Sequence, residues 1–214
     1  MKVICTINNL REAILTTERF TSRHVTLPIL SHLLFKADER KLSIIGTNLE
    51  TGVEYSIPSK VQKTGNITVP ARTISQIIQS LDSEEAITLE SKQNQLIIHT
   101  KSSDIALNGL KPEEFPPLPQ VPQEKHFIIS SSVFISALSR VLPAVATTNF
   151  KPELGGIFIA AGASTITVAA TDSFRLAEYI VNDVAEVKDS FECIIPARVI
   201  QEIIRIAPEN QELS

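Results

Sequence analysis

Apolar residues recur at helical spacing in four stretches of the chain and at alternating spacing between them. Ile7, Leu10, Ala13, Ile14 and Thr17 fall by threes and fours, and so do Phe134, Ala137, Leu138, Val141 and Val145. Each set predicts an amphipathic helix with one face turned to a core. Ser130 to Ser132 offer an N-cap to the second helix, and Pro143, which has no counterpart in the first, should kink or end it. Ile74, Ile77, Ile78 and Leu81 form another stripe, repeated as Ile200, Ile203, Ile204 and Ala207. Between the helices, "KLSIIGTN" and "GVEYSI" alternate with Val53, Tyr55 and Ile57 on one face; "STITVAATD" and "AEYIV" do the same with Ala177, Tyr179 and Val181. Strand, turn, strand is predicted in both places. "AITLES", "QLIIHT" and "SSDIALNGL" predict three more strands before residue 110.

These patterns are two copies of one design. "VPARTISQII" at 69–78 returns as "IPARVIQEII" at 195–204. At an ungapped offset of 124, Leu10 meets Phe134, Ala13 meets Ala137, Pro28 meets Pro152, Thr47 meets Thr171 and Tyr55 meets Tyr179; at the Pro-Ala-Arg motif the offset is 126, so the second copy carries a loop two residues longer. Proline at the head of each repeated helix suits a first turn. Arg72 and Arg198 stand two residues before the isoleucine stripe, about 200° round the helix, and so face away from the core, as does Arg205 seven residues further on. Five of the twelve prolines fall in "KPEEFPPLPQVP", 111–122, which reads as an extended, stiff connector. The expected organisation is a first domain at 1–118, a proline-rich linker at 119–126 and a second domain at 127–214. The second copy stops sooner after its Pro-Ala-Arg helix than the first, so it is expected to lack its last strands and to leave a sheet edge bare.

Composition narrows the class. With 43% hydrophobic and 21% charged residues, the chain can bury real cores. Arg11, Glu12, Glu18 and Arg19 interrupt the N-terminus where a signal peptide needs an apolar run, and no 18 consecutive residues are apolar; a cytoplasmic protein is expected. Cys5 and Cys193 lie in separate apolar stretches and read as buried free thiols. A net charge of -4 speaks against a simple electrostatic binder of nucleic acid.

Catalytic chemistry is hard to find. The seven glycines form no phosphate loop, and His24, His32, His99 and His126 are scattered without metal-ligand spacing, so neither cofactor nor metal is expected. Asp172 and Arg175 in "TDSFR" could be imagined as an acid and an anion clamp. Asn48 holds the place of Asp172 in the first copy, however, and an Asx turn needs only a short polar side chain there.

The repeated plan, with "TLPIL" before the first hairpin, "TDSFRLAEY" at the second and Pro-Ala-Arg opening each second helix, resembles the bacterial DNA polymerase sliding clamp family, the beta subunit of DNA polymerase III. The resemblance runs from Lys2 to the C-terminus. It implies an α+β fold of repeated DNA-clamp domains, each with two helices packed on antiparallel sheet and the helices lining the inner face of a ring. In the family three such domains make a subunit, and two subunits close head to tail round duplex DNA; this chain would supply the first domain and most of the central one, without the third. A ring holds DNA topologically, so an acidic net charge is no obstacle. The implied function is a non-catalytic processivity factor that tethers the replicative polymerase, the clamp loader, other polymerases and repair proteins through short linear motifs, and binds duplex DNA without regard to sequence as a homodimer. DNA-facing positions suggested by the resemblance are Arg23, Arg72, Lys151, Arg198 and Arg205. The peptide pocket corresponds to Leu154, Thr171, Ser173, Phe174, Arg175 and Leu176, its other wall lying beyond Ser214, and the ring interface to Ile105 and Leu107. Ser102 and Asp104 stand where basic residues are often seen beside that interface, which puts its usual charge pairing in doubt. The competing class is a generic peptide-binding domain pair unrelated to DNA.

Overall fold

The structure is a computed structural model that describes residues 1–22, 27–82, 86–101, 103–119, 126–147, 151–182, 184, 186–207 and 211–213. The chain divides into two compact units, 1–119 and 120–214.

In unit 1, β1 (Lys2–Thr6) runs directly into α1 (Ile7–Glu18); β2 (His32–Asp38), β3 (Lys41–Thr47), β4 (Gly52–Pro58), β5 (Lys60–Lys63) and β6 (Gly65–Pro70) follow, then α2 (Ala71–Ser80), β7 (Ala86–Lys92), β8 (Gln95–His99) and β9 (Asp104–Asn108). The strands form two antiparallel sheets, ordered β4-β3-β2-β6 and β5-β1-β7-β8-β9. Alternation explains the sheets: Leu33, Phe35 and Leu89 are fully buried while their strand neighbours turn outward, whereas on β3 Leu42 and Ile44 face the core and Ser43 and Ile45, on the other face, are buried as well. Into this core α1 sends Leu10 and Ile14, and α2 sends Ile74 and Ile78. Each such side chain contributes roughly 1.5–3 kcal/mol by leaving water. Thr17, on the same buried face, satisfies its hydroxyl by donating to the Ala13 carbonyl at 2.8 Å. Arg11 lies across the end of α2, donating through Nη2 to the Leu81 carbonyl at 2.7 Å, where a cation suits the helix dipole.

Unit 2 repeats the plan from β1 through β7; among the described residues β8 and β9 have no counterpart. It contains β10 (His126–Ser130), α3 (Ser131–Val141), β11 (Gly156–Ala161), β12 (Thr165–Thr171), β13 (Leu176–Asn182), β14 (Glu186–Lys188), β15 (Phe191–Pro196), α4 (Ala197–Ile206) and β16 (Glu212–Leu213). Under the offsets of 124 and 126 its sheet β13-β12-β11-β15 matches β4-β3-β2-β6, and β14-β10-β16 matches the first three strands, β5-β1-β7, of the other sheet. The two extra residues fall between β13 and β14. Tyr55 of β4 reaches back to α1, where its hydroxyl donates to Glu12 at 2.8 Å; Tyr179 of β13 reaches α3 by another means, with the Arg140 guanidinium 5.1 Å above its ring.

Several expectations need correction. Pro143 ends α3 in a 3-10 turn, so Val145 is buried but lies outside the helix. Ser130 precedes α3 without capping it, because its hydroxyl faces that of Ser132 at 3.0 Å. Pro70 and Pro196 close a strand and stand one residue before the helix. The second sheet of unit 2 is less bare than expected: β16 pairs with β10 as β7 pairs with β1. Cys5 is buried, but Cys193 is only half-buried on β15. The connector is not a free spacer over its first half. Phe115 is buried with Ile29, Leu30 and Ile45 against unit 1, with Leu110 and Leu118 packed beside them. Residues 120–125 lie outside the described residues.

Candidate functional site

The turn joining β12 to β13 is built by one carboxylate. Asp172 Oδ1 accepts the amide hydrogens of Phe174 at 3.0 Å and Arg175 at 2.9 Å, and Arg175 Nε donates to Oδ2 at 2.9 Å. The two amides and the guanidinium hold the Asp172 carboxyl below its ordinary range. Thr171 closes the loop by donating to the Arg175 carbonyl at 2.7 Å, and Ser173 adopts a φ of 77°. Unit 1 builds the same turn with Asn48, whose Oδ1 accepts from Glu50 at 3.0 Å and Thr51 at 2.8 Å. An amide doing the same work identifies Asp172 as an Asx-turn residue.

Beside this turn, on the outer face of β13-β12-β11-β15, lies an apolar groove of about 160 Å³. Of the six pocket residues expected from the sequence, Leu154, Thr171 and Leu176 line it. Ser173, Phe174 and Arg175 are exposed outside the lining: the positive φ at Ser173 carries Phe174 into solvent, 99% exposed, and Arg175 is held by Asp172. Phe174 is therefore no part of an apolar floor. Phe158, Ala169 and Ile194 supply that floor instead. They occupy the outward phase of strands whose inward phase, Ile157, Val168 and Ile195, belongs to the core, so strand alternation held the signal. Gly156 lets Ile194 pack close against the β11 backbone, since a β-carbon there would come within 2.7 Å of Ile194 Cγ2. Leu176 is 70% exposed and Ile194 50%.

Arg72 on α2 and Arg198 on α4 are exposed on the polar side of their helices, with no hydrogen bond or ion pair among the described residues. Arg205 is exposed as well, but its Nη1 donates to Glu202 at 3.2 Å. Lys151 is exposed at the start of the 3-10 turn Pro152–Gly155. Arg23 lies outside the described residues. Leu107 and Ile105 pack into the core of unit 1, so on β9 what faces outward is Asp104, Ala106 and Asn108. Asp104 already pairs with His99, Oδ1 to Nδ1 at 2.8 Å; Ser102 lies outside the described residues. Among the described residues, no three His, Cys, Asp or Glu side chains are placed to hold a metal ion.

Two tandem copies of one α+β unit, each with a helix pair over antiparallel sheet, define a DNA-clamp scaffold. The chain belongs to the DNA polymerase III beta subunit family: the profile of that subunit's N-terminal domain matches residues 1–119, and that of its central domain matches residues 128–213. It is 30% identical over 206 residues to the beta sliding clamp of Staphylococcus aureus, covering 92% of this chain and 54% of that one. The DNA polymerase III subunit beta of Pseudomonas aeruginosa superposes with a TM-score of 0.92 at 26% identity, over 99% of this chain and 58% of the other. The Helicobacter pylori beta clamp, solved with a DNA ligase peptide, shares the fold with a TM-score of 0.86 at 24% identity, over 99% of this chain and 60% of that one. The chain spans about half the length of the curated relatives it matches.

Proposed function

We propose that this chain works as part of a sliding clamp, a processivity factor that surrounds duplex DNA and tethers polymerases and other partners to it. The observation that carries the reading is the repeated Pro-Ala-Arg helix. In both units one face holds buried isoleucine and the opposite face presents an exposed arginine, Arg72 or Arg198. Arginine on a solvated helix face attracts phosphates without reading bases, which suits movement along DNA. Lys151, Arg205 and Arg23 are assigned supporting roles in the same contact, Arg205 the weakest because Glu202 neutralises part of its charge. No group in either unit is asked to do chemistry, and the role is that of a cytoplasmic scaffold rather than an enzyme. Head-to-tail ring closure would use β9, through its backbone edge more than through Ile105 and Leu107, which the core already claims.

The groove of unit 2 is the proposed docking site for short linear motifs. Leu154, Phe158, Ala169 and Leu176 offer an apolar floor, Thr171 a polar rim. The Helicobacter pylori clamp solved with a DNA ligase peptide is in keeping with such a ligand. The test is a titration of the 214-residue chain with a polymerase-tail peptide carrying leucine and phenylalanine anchors. Amide shifts are expected at Ala169, Thr171 and Leu176, with binding weakened about tenfold or more in Leu176→Ala. Shifts confined to other strands, or equal affinity in the variant, would refute the assignment.

A further inference from the structure

Six positions line or flank the groove in unit 2: Leu154, Phe158, Ala169, Thr171, Leu176 and Ile194. Under the repeat offsets their counterparts in unit 1 are Leu30, Leu34, Ile45, Thr47, Gly52 and Thr68. The groove is open in unit 2 and covered in unit 1. Ile194 is half exposed, whereas Thr68 is fully buried, because the chain after β9 crosses it: Thr68 Oγ1 donates to the Leu110 carbonyl at 2.7 Å and accepts from the Leu110 amide at 2.9 Å. From there the segment turns through Pro112–Glu114 and lays Phe115 into the cluster of Leu30, Leu34 and Ile45. Leu118 fills the space above Gly52, where an added β-carbon would collide with Leu118 Cδ2.

We propose that the outer face of β4-β3-β2-β6 is a second groove for short apolar peptides, kept shut by the chain's own segment with Phe115 and Leu118 as its anchors. The ligand it fits is written in that segment. It is an extended peptide with an aromatic and an aliphatic side chain three residues apart, stiffened by Pro116 and Pro117 and preceded by Glu113 and Glu114. Gly52 is the residue that allows it. In unit 2 Leu176 stands at the position of Gly52, where even a β-carbon would meet a side chain placed like Leu118, so the open groove of unit 2 does not suit this segment. A stiff tether holds its anchors at high effective concentration, so an outside peptide enters unit 1 only once they are removed. The inference rests on the peptide-docking reading of unit 2 for the class of ligand, and on the repeat for the place.

The test uses the isotope-labelled 214-residue chain carrying Phe115→Ala and Leu118→Ala, titrated with a synthetic peptide of residues 111–119. The amides of Ile45, Thr47 and Gly52 are expected to shift toward their wild-type positions as the peptide saturates, at a concentration at least tenfold below any at which they respond in the wild-type chain. A dispersed unit 1 spectrum that ignores the peptide would overturn the proposal. A second variant, Gly52→Leu, leaves the apolar cluster intact and should expel Leu118, with cleavage after Glu113 or Glu114 by a glutamyl endopeptidase accelerated tenfold or more; an unchanged rate would overturn it too. Amides of Ala169 and Leu176, followed in the same samples with the polymerase-tail peptide, report separately on the groove of unit 2.

Discussion

Asp172 and Asn48 hold one turn in its two copies, and only the first can titrate. Its carboxylate is kept below the ordinary value of about 3.9 by two amides and the Arg175 guanidinium, so its support for the turn is complete above that value and is lost as pH falls through the lower, folded one. Following the Phe174 amide by NMR through an acid titration should give a midpoint below the ordinary aspartate range. A midpoint at or above it would mean that the turn does not hold the carboxylate. The thiols offer a second check at this scale. Burial pushes Cys5 up to about 12 and raises Cys193 as well, but Cys193 is half-buried where Cys5 is sealed in the core. With a thiol reagent near pH 8, Cys193 should react slowly and Cys5 only on unfolding; Cys5 reacting first would contradict the packing described for β1.

At the level of elements, the periodic segments were the readable ones. The isoleucine stripes of α2 and α4 and the strands β3, β4, β12 and β13 appear where the pattern predicts them; in all but β3, which is buried on both faces, a single buried face imposes its period on the residues. The misses have physical causes too. β1 and β10 have five residues each and pass without a break into helices, so their alternation merges with a helical pattern. Proline-rich sequence reads as spacer, yet Phe115 and Leu118 within it are apolar and find a surface. The site was half legible: Leu154, Thr171 and Leu176 stand at the groove, while Phe158 and Ile194 went unread because β11 and β15 are apolar on both phases there, which hides the outward residues among the core ones. A mutation pair tests the stripe. Ile74→Ala should cost about 2–5 kcal/mol in urea unfolding, since Ile74 is wholly buried, and Arg72→Ala less than about 0.5 kcal/mol. Comparable losses from both would show that Arg72 is structural and unavailable to a partner.

For the whole molecule the question is how a chain with a net charge of -4 would engage DNA in the proposed role. On the proposed reading, exposed arginine repeated on the helices, Arg72 and Arg198, supplies local positive charge, and the grip is expected to be weak because few phosphates are contacted and no bases are read. Log binding constant should then fall with log salt at a slope of about -0.9 per phosphate contacted, small because the contacts are few. The deciding measurement is fluorescence anisotropy of a labelled duplex titrated with this chain over a salt series, beside the Arg72→Ala/Arg198→Ala variant and a duplex of unrelated sequence. Weak binding that is indifferent to sequence, fades as salt rises and falls further in the variant is the predicted result. Binding that holds its strength across the salt series, prefers one sequence, or survives the loss of both arginines unchanged would contradict the assignment of these helix faces to DNA.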